Sequence, residues 1–159
     1  MDLFLEALAW LFSPEQYQGE GSIPQRTMEH LAYTAGATLI AALVAVPIGY
    51  FIGHTGRGGT WVVGITGAAR ALPSFGLILL LVLLLGVSER VTASLVALVL
   101  LGIPPLMAGA YAGMQQIPRA TVDAARAQGM TEWQIVGKVE IPLSLPLLLG
   151  GLRGAVLQI

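Results

Sequence analysis

The sequence contains no cysteine, which excludes disulfides, thiolate metal sites and cysteine nucleophiles. Charge is nearly as scarce. Only 11% of the 159 residues are Asp, Glu, Lys or Arg, less than half the share usual in a water-soluble domain. The formal net charge of −1 leaves no basic footprint for nucleic acid. Histidine occurs only as His30 and His54. Neither has a partner at ligand spacing, so both read as interfacial and no metal site is expected. No Gly-x-x-x-x-Gly-Lys-Ser/Thr stretch occurs. Gly53–Gly59, although rich in glycine, therefore reads as a short turn, and no nucleotide site or cofactor is expected in this chain. Met1–Phe12 is apolar but carries Asp2 and Glu6 and no Lys or Arg. That is not the basic start of a secretory signal; it reads as a short interfacial helix or part of a membrane segment.

What remains is apolar. Hydrophobic residues make up 55% of the chain, gathered into long runs. A helix crossing the hydrocarbon core needs about 20 apolar residues. Leu31–Ile52 and Val91–Gly113 supply such runs with no charge, and Trp61–Val87 is broken only by Arg70 and Pro73. Ile141–Ile159 is a fourth run, containing Arg153. The expectation is an all-α, polytopic transmembrane protein. Residues 1–30 would form an extracytoplasmic or interfacial segment. Residues 31–159 would form a transmembrane domain with spans near 31–52, 61–87, 91–113 and 141–159 and a polar loop at 114–140. Gly49–Gly53, Gly109–Gly113 and Gly150–Gly154 have the GxxxG spacing that permits close helix contact. Arg57, Arg119, Arg126 and Lys138 fall on one side of this arrangement, Arg26 and Arg90 on the other. The excess places the 114–140 loop in the cytoplasm and turns Glu15, Glu20 and Glu29 outward.

Within that loop the local signals mark two short helices. Pro118 suits a first helical position, and Gly129 is placed to end the first helix in a left-handed cap. Thr131 opens a capping box with Gln134. Trp133, Ile135, Val136 and Val139 share one side of the second helix, which Pro142 is expected to stop. Helices this short are marginal alone and must lie against something: the membrane domain, or a partner.

The residues carry a resemblance. Asp123-Ala124-Ala125, three residues, Gly129, nine residues, Val139-Glu140-Ile141-Pro142 resembles the EAA loop of bacterial ABC-importer permeases, with Asp for Glu, Val for Ile and Ile for Leu. "ARALPSFGLILLLVLLLGV" and "IPPLMAGAYAGMQQIPRATVDAARAQGMT" are similar to permeases that import glycine betaine, choline, carnitine and related osmoprotectants. The resemblance covers roughly residues 31–159. It implies a type I importer fold in the bacterial inner membrane, a second permease subunit (identical or different), cytoplasmic ABC ATPase subunits and an extracytoplasmic substrate-binding protein. In that family the chain continues past the position of Ile159 with a Gly-rich stretch and another span, so the resemblance implies a C-terminally truncated fold. It also implies that Asp123, Ala124, Ala125 and Gly129 dock on the ATPase and form the turn, while Val139, Ile141 and Pro142 fix the second helix to the next span.

Other residues are weaker candidates. Arg70 and Arg153 are intramembrane charges; Arg70 is near enough to an interface to snorkel into the lipid headgroups, and Arg153 could do the same or make a contact between helices. Pro73-Ser74-Phe75 resembles a family stretch near the translocation pathway, although Pro73 also simply bends a helix. Trp10, Trp61 and Trp133 sit at or outside the interfaces, where aromatic belts form, and make no cage for a quaternary ammonium. An intramembrane enzyme would need paired acids or a Ser–Lys or Ser–His pair inside the spans. Asp and Glu are absent there except for Glu140 at the edge of the last, so no catalytic residue is assigned. The alternatives to an osmoprotectant permease are a permease for another small solute such as an amino acid, or a structural or regulatory membrane protein or permease fragment.

Overall fold

Proline and glycine set where these helices start, stop and touch. The computed structural model describes residues 2–71 and 73–159, the side chains of Asp2, Ala69, Arg70 and Ala71 excepted. No strand occurs among the described residues, as the all-α reading expects. The chain divides into two units, Met1–Ala35 and Gly36–Ile159.

The first unit holds α1 (Asp2–Leu11), a 3-10 turn at Pro14–Tyr17 and the first turns of α2 (Ile23–Thr55). The Ser13 hydroxyl donates to the Trp10 carbonyl at 2.8 Å, satisfying one of the free carbonyls that α1 leaves at its end. The Gln25 side chain accepts from the Gly21 N–H at 2.8 Å, and Arg26 donates back to the Gly21 carbonyl at 3.2 Å. These bonds hold the entry into α2.

The second unit holds the rest of α2, then α3 (Gly59–Ala71), α4 (Ser74–Leu85), α5 (Arg90–Gln115), α6 (Arg119–Ala127), α7 (Glu132–Ile135) and α8 (Ile141–Gln158). A π-helical turn, Val136–Glu140, joins α7 to α8. Among the described residues, Ile23–Thr55, Val87–Gln115 and Glu132–Gln158 are long and apolar enough to cross a membrane. Pro47, Pro104, Pro105 and Pro146 all lie inside helices, which lipid-embedded helices tolerate when neighbours satisfy the freed backbone groups.

Two expectations need correction. The run Trp61–Val87 is divided between α3 and α4. Pro73, extended at φ −69° and ψ 116°, is the N-cap of α4. Its ring removes a donor and crowds the preceding turn, and here the backbone leaves the helix at Pro73 instead of continuing through it. Pro142, in contrast, does not stop the second loop helix. The backbone widens just before it, the Ile141 N–H bonding the Val136 carbonyl five residues back. The helix then runs on through Pro142 to Gln158. A wider turn gives the proline ring room that a regular α-turn would deny it.

The second unit is packed by small residues. Ala37, Ala41, Ala45, Gly49 and Gly53 recur every fourth residue along α2, and all are buried. A Cβ at Gly49 would come within 2.7 Å of the Met107 carbonyl and of Ala110 on α5. Between α5 and α8 the approach is as tight. A Cβ at Gly109 would lie 2.9 Å from the Gly151 Cα and the Leu147 carbonyl, and one at Gly113 would lie 2.7 Å from Ser144. The Gly49–Gly53 and Gly109–Gly113 spacings therefore sit at helix contacts. Gly150 does not: nothing stands within 4 Å of a Cβ there. Gly151, one residue on, faces α5 instead, because α8 turns Ser144, Gly151 and Ala155 to the same side and Gly150 about 100° away. Ser144 is wholly buried. Its hydroxyl donates to the Ile141 carbonyl at 2.8 Å and pairs with the Tyr50 hydroxyl at 3.2 Å, joining α8 to α2.

Candidate functional site

The polar loop folds as two helices at one end of the second unit. Pro118, with φ −59° and ψ 131°, is the N-cap of α6 rather than its first residue; its ψ is extended, so helix begins at Arg119. Gly129 adopts φ +82°, a conformation that costs any residue with a Cβ about 1–2 kcal/mol. Its N–H reaches the Arg126 carbonyl at 2.9 Å, and the Met130 N–H reaches the Ala125 carbonyl at 3.2 Å. This pair of bonds is a Schellman ending, which uses carbonyls that α6 would otherwise leave free. Two residues later the Thr131 N–H donates to the Gln134 side chain at 2.9 Å, part of the capping box that opens α7.

The motif residues divide by face. Asp123 and Ala124 are exposed, whereas Ala125 is buried. Val139 and Ile141 are half-buried and Pro142 is exposed. A shallow open groove runs along the hairpin, lined by Ala120, Ala124, Ala125, Gln128, Met130 and Val139. Of the four apolar residues expected on one side of the second helix, Ile135 is buried and Val136 and Val139 are half-buried. Trp133 is 87% exposed. It stands at one end of that apolar arc, and burial is deepest at the opposite end, at Ile135.

From this outer face a chain of polar contacts runs inward that sequence spacing did not bring together. Arg126 donates to Asp123 at 3.2 Å and, through two nitrogens, to both carboxylate oxygens of Glu132 at 2.8 and 3.0 Å. The hydrogen bonds that Arg126 donates to Glu132 raise its pKa above the ordinary value, with Asp123 adding less. His54, at the end of α2, places Nε2 3.4 Å from Glu132 and Nδ1 2.6 Å from Glu140. Glu140 is only 5% exposed. The Gln115 amide, at the end of α5, donates to the Gly53 carbonyl at 3.1 Å. A polar cleft is lined by Gly53, His54, Gln115, Arg119, Asp123 and Glu140. His54 is thus more than an interfacial residue. The available sequence signal was Glu140 itself, a carboxylate at the edge of an apolar run, where an unpaired charge would be costly.

The remaining candidates lie elsewhere. The Arg70 side chain is outside the described residues. Pro73, Ser74 and Phe75 form the exposed start of α4. Arg153 is exposed on α8. Among the described residues, no group of His, Asp and Glu could hold a metal ion.

An all-α bundle with close helix contacts and a polar, capped helical hairpin at one end is the architecture of a type I ABC permease. The chain belongs to the family described as binding-protein-dependent transport system inner membrane component, whose model matches residues 45–159. It is a multi-pass inner-membrane protein. Among curated proteins it is 27% identical over 143 residues to the carnitine transport permease protein OpuCD of Listeria monocytogenes, covering 89% of this chain and 63% of that one. It is 32% identical over 127 residues to the choline transport system permease protein OpuBD of Bacillus subtilis, covering 80% and 55%. It is 30% identical over 126 residues to the osmoprotectant import permease protein OsmY of Salmonella typhimurium, covering 78% and 52%. The chain thus spans less than two thirds of the length of these relatives. No solved structure matches it.

Proposed function

We propose that this chain belongs to the membrane-spanning subunit of an ATP-driven importer of quaternary ammonium osmoprotectants, the class that includes glycine betaine, choline and carnitine. The substrate class rests on the relatives' transport of carnitine, choline and osmoprotectants. The observation that carries the coupling role is the outward face of the hairpin, where Asp123, Ala124 and Trp133 are exposed while Ala125 and Ile135 anchor it from behind.

On this reading a cytoplasmic ATPase subunit receives α6 in a cleft, with Asp123 for an ionic contact and Ala124 permitting close approach. Gly129 holds the bend. Val139, Ile141 and Pro142 join the hairpin rigidly to α8, so that closure of the ATPase pair around ATP tilts the spans and exchanges inward for outward access. ATP hydrolysis belongs to that partner. A second permease subunit, identical or different, completes the pathway. Arg70, Pro73, Ser74, Phe75 and Arg153 are the candidates for its lining. Solute selection is assigned to an extracytoplasmic binding protein, since the exposed Trp10, Trp61 and Trp133 are scattered along the chain and a quaternary ammonium needs an aromatic cage.

Co-purification from membranes tests the coupling role. The parent protein is expected to retain its ATPase. Asp123→Lys, which reverses the exposed charge, and Gly129→Pro, whose ring fixes φ near −65° where +82° is needed, are expected to lose it while still inserting. Retention of the ATPase by both variants at the parent level would sink the docking role of this loop. Uptake of labelled betaine, choline, carnitine and an amino acid by the assembled importer then decides the solute.

A further inference from the structure

We propose that His54 is a positioning residue for transport: paired with Glu140, it makes the end of α2 move with the α6–α7 hairpin. A displacement received at Asp123 and Ala124 would then reach α2 as well as α8. This inference rests on the docking role proposed for the hairpin.

The chain itself ties the hairpin to α5 through Pro118 and to α8 through the π turn. It makes no comparable tie to α2, whose end lies 86 residues from Glu140 in sequence. The tertiary contact supplies one. His54 Nδ1 and Glu140 Oε2 are 2.6 Å apart. Both ring nitrogens of His54 face carboxylates, the other being Glu132 at 3.4 Å. Glu132 is gripped by both forks of Arg126, which also holds Asp123. An unbroken series of polar contacts therefore runs from the exposed acid of the hairpin to the last turn of α2.

Two further features point the same way. Glu140 is the last residue of the π-helical turn, and each residue of extra backbone in a helix rotates the residues after it by about 100°. A regular α-helix over 136–140 would change the direction in which Glu140 points relative to Ile135; the π turn aims it at His54. In addition, the buried Glu140 carboxylate has no hydrogen-bond partner besides His54 among the described residues. A buried charge stripped of its partner is strongly unfavourable, so the pair resists parting as the hairpin is driven. Gln115, donating to the Gly53 carbonyl, holds the neighbouring turn of α2 to α5.

The test uses the importer assembled in lipid vesicles with its ATPase and binding protein, measuring ATPase retention, ATP hydrolysis and solute uptake together. His54→Gln and Glu140→Gln are expected to keep the ATPase bound and hydrolysing near the parent rate. Solute moved per ATP should fall about tenfold, within the usual span of coupling effects. The double variant should be no worse than either single one. A fold-stabilising role alone would lower protein yield and hydrolysis together and leave that ratio unchanged. Because the chain has no other cysteine, His54→Cys combined with Glu140→Cys can be bridged by a short bifunctional thiol reagent. Bridging should restore uptake, whereas the reagent should do nothing for either single cysteine. A normal solute-to-ATP ratio in His54→Gln, or no recovery on bridging, overturns the proposal; if His54→Gln fails to reach the membrane, the bridged pair decides. Absence of ATPase from the parent itself would instead remove the docking reading, and this tie with it.

Discussion

At Thr38 a single hydroxyl is out of balance with its surroundings. The side chain is buried on the small-residue face of α2, and its Oγ1 has no hydrogen-bond partner. A buried, unsatisfied polar atom carries its full desolvation penalty, whereas an apolar group of the same shape carries none. Thr38→Val should therefore stabilise the folded protein by about 1 kcal/mol, read as a higher midpoint of thermal unfolding in detergent micelles. A lower midpoint would overturn this and mean that Oγ1 is hydrogen-bonded in the folded protein. Gly129 shows the opposite case, a residue whose role could be read without the fold. Its place after a run of helix formers called for a left-handed ending, and the backbone has one at φ +82°. Local geometry alone decides such a position. Glu140 was not legible in that way, because its meaning depends on His54, and nothing local connects them.

At the scale of elements, the contact between α5 and α8 is set by how close two backbones come. Gly109 and Gly151 face each other, and a Cβ on either would lie within 3.0 Å of backbone atoms opposite. Backbone cannot yield as a flexible side chain can. Gly109→Leu should force the helices apart and cost about 1–3 kcal/mol, the usual penalty of overpacking. Gly150→Leu, one turn position away and facing open space, should cost little. Comparing unfolding midpoints of the two variants checks the register directly, and equal losses would refute it. GxxxG spacing marked the faces of α2 and α5 but missed that of α8, since spacing identifies a candidate stripe and the neighbour chooses which side of it is used. The π turn at Val136–Glu140 was hidden for a related reason. Pro142 read as a stop because a proline inside a helix removes a backbone donor and crowds the preceding turn, and the chain instead widens its helix just before it and keeps going.

For the whole molecule, the ends of α2 and α5 and the hairpin share one side, as the contacts of His54 and Gln115 require. On the Lys and Arg balance, that side is expected in the cytoplasm. With no native cysteine to interfere, Arg57→Cys and Lys138→Cys should resist a membrane-impermeant thiol reagent added outside cells, and Ser88→Cys should react. The reverse pattern would invert the orientation and remove the hairpin from any cytoplasmic ATPase.

Sequence alone determined that this chain is helical and membrane-spanning, because long uncharged runs leave the backbone no other way to satisfy its hydrogen bonds in lipid. It also determined the capped hairpin, since Gly129, Thr131 and Gln134 act within a few residues of one another. The tertiary structure decided the rest: which glycines touch, that Pro73 divides a run while Pro142 is absorbed, and that His54 meets Glu140. Each of these depends on what another helix presents at a given height and angle. That information is shared between distant segments, and no single segment carries it.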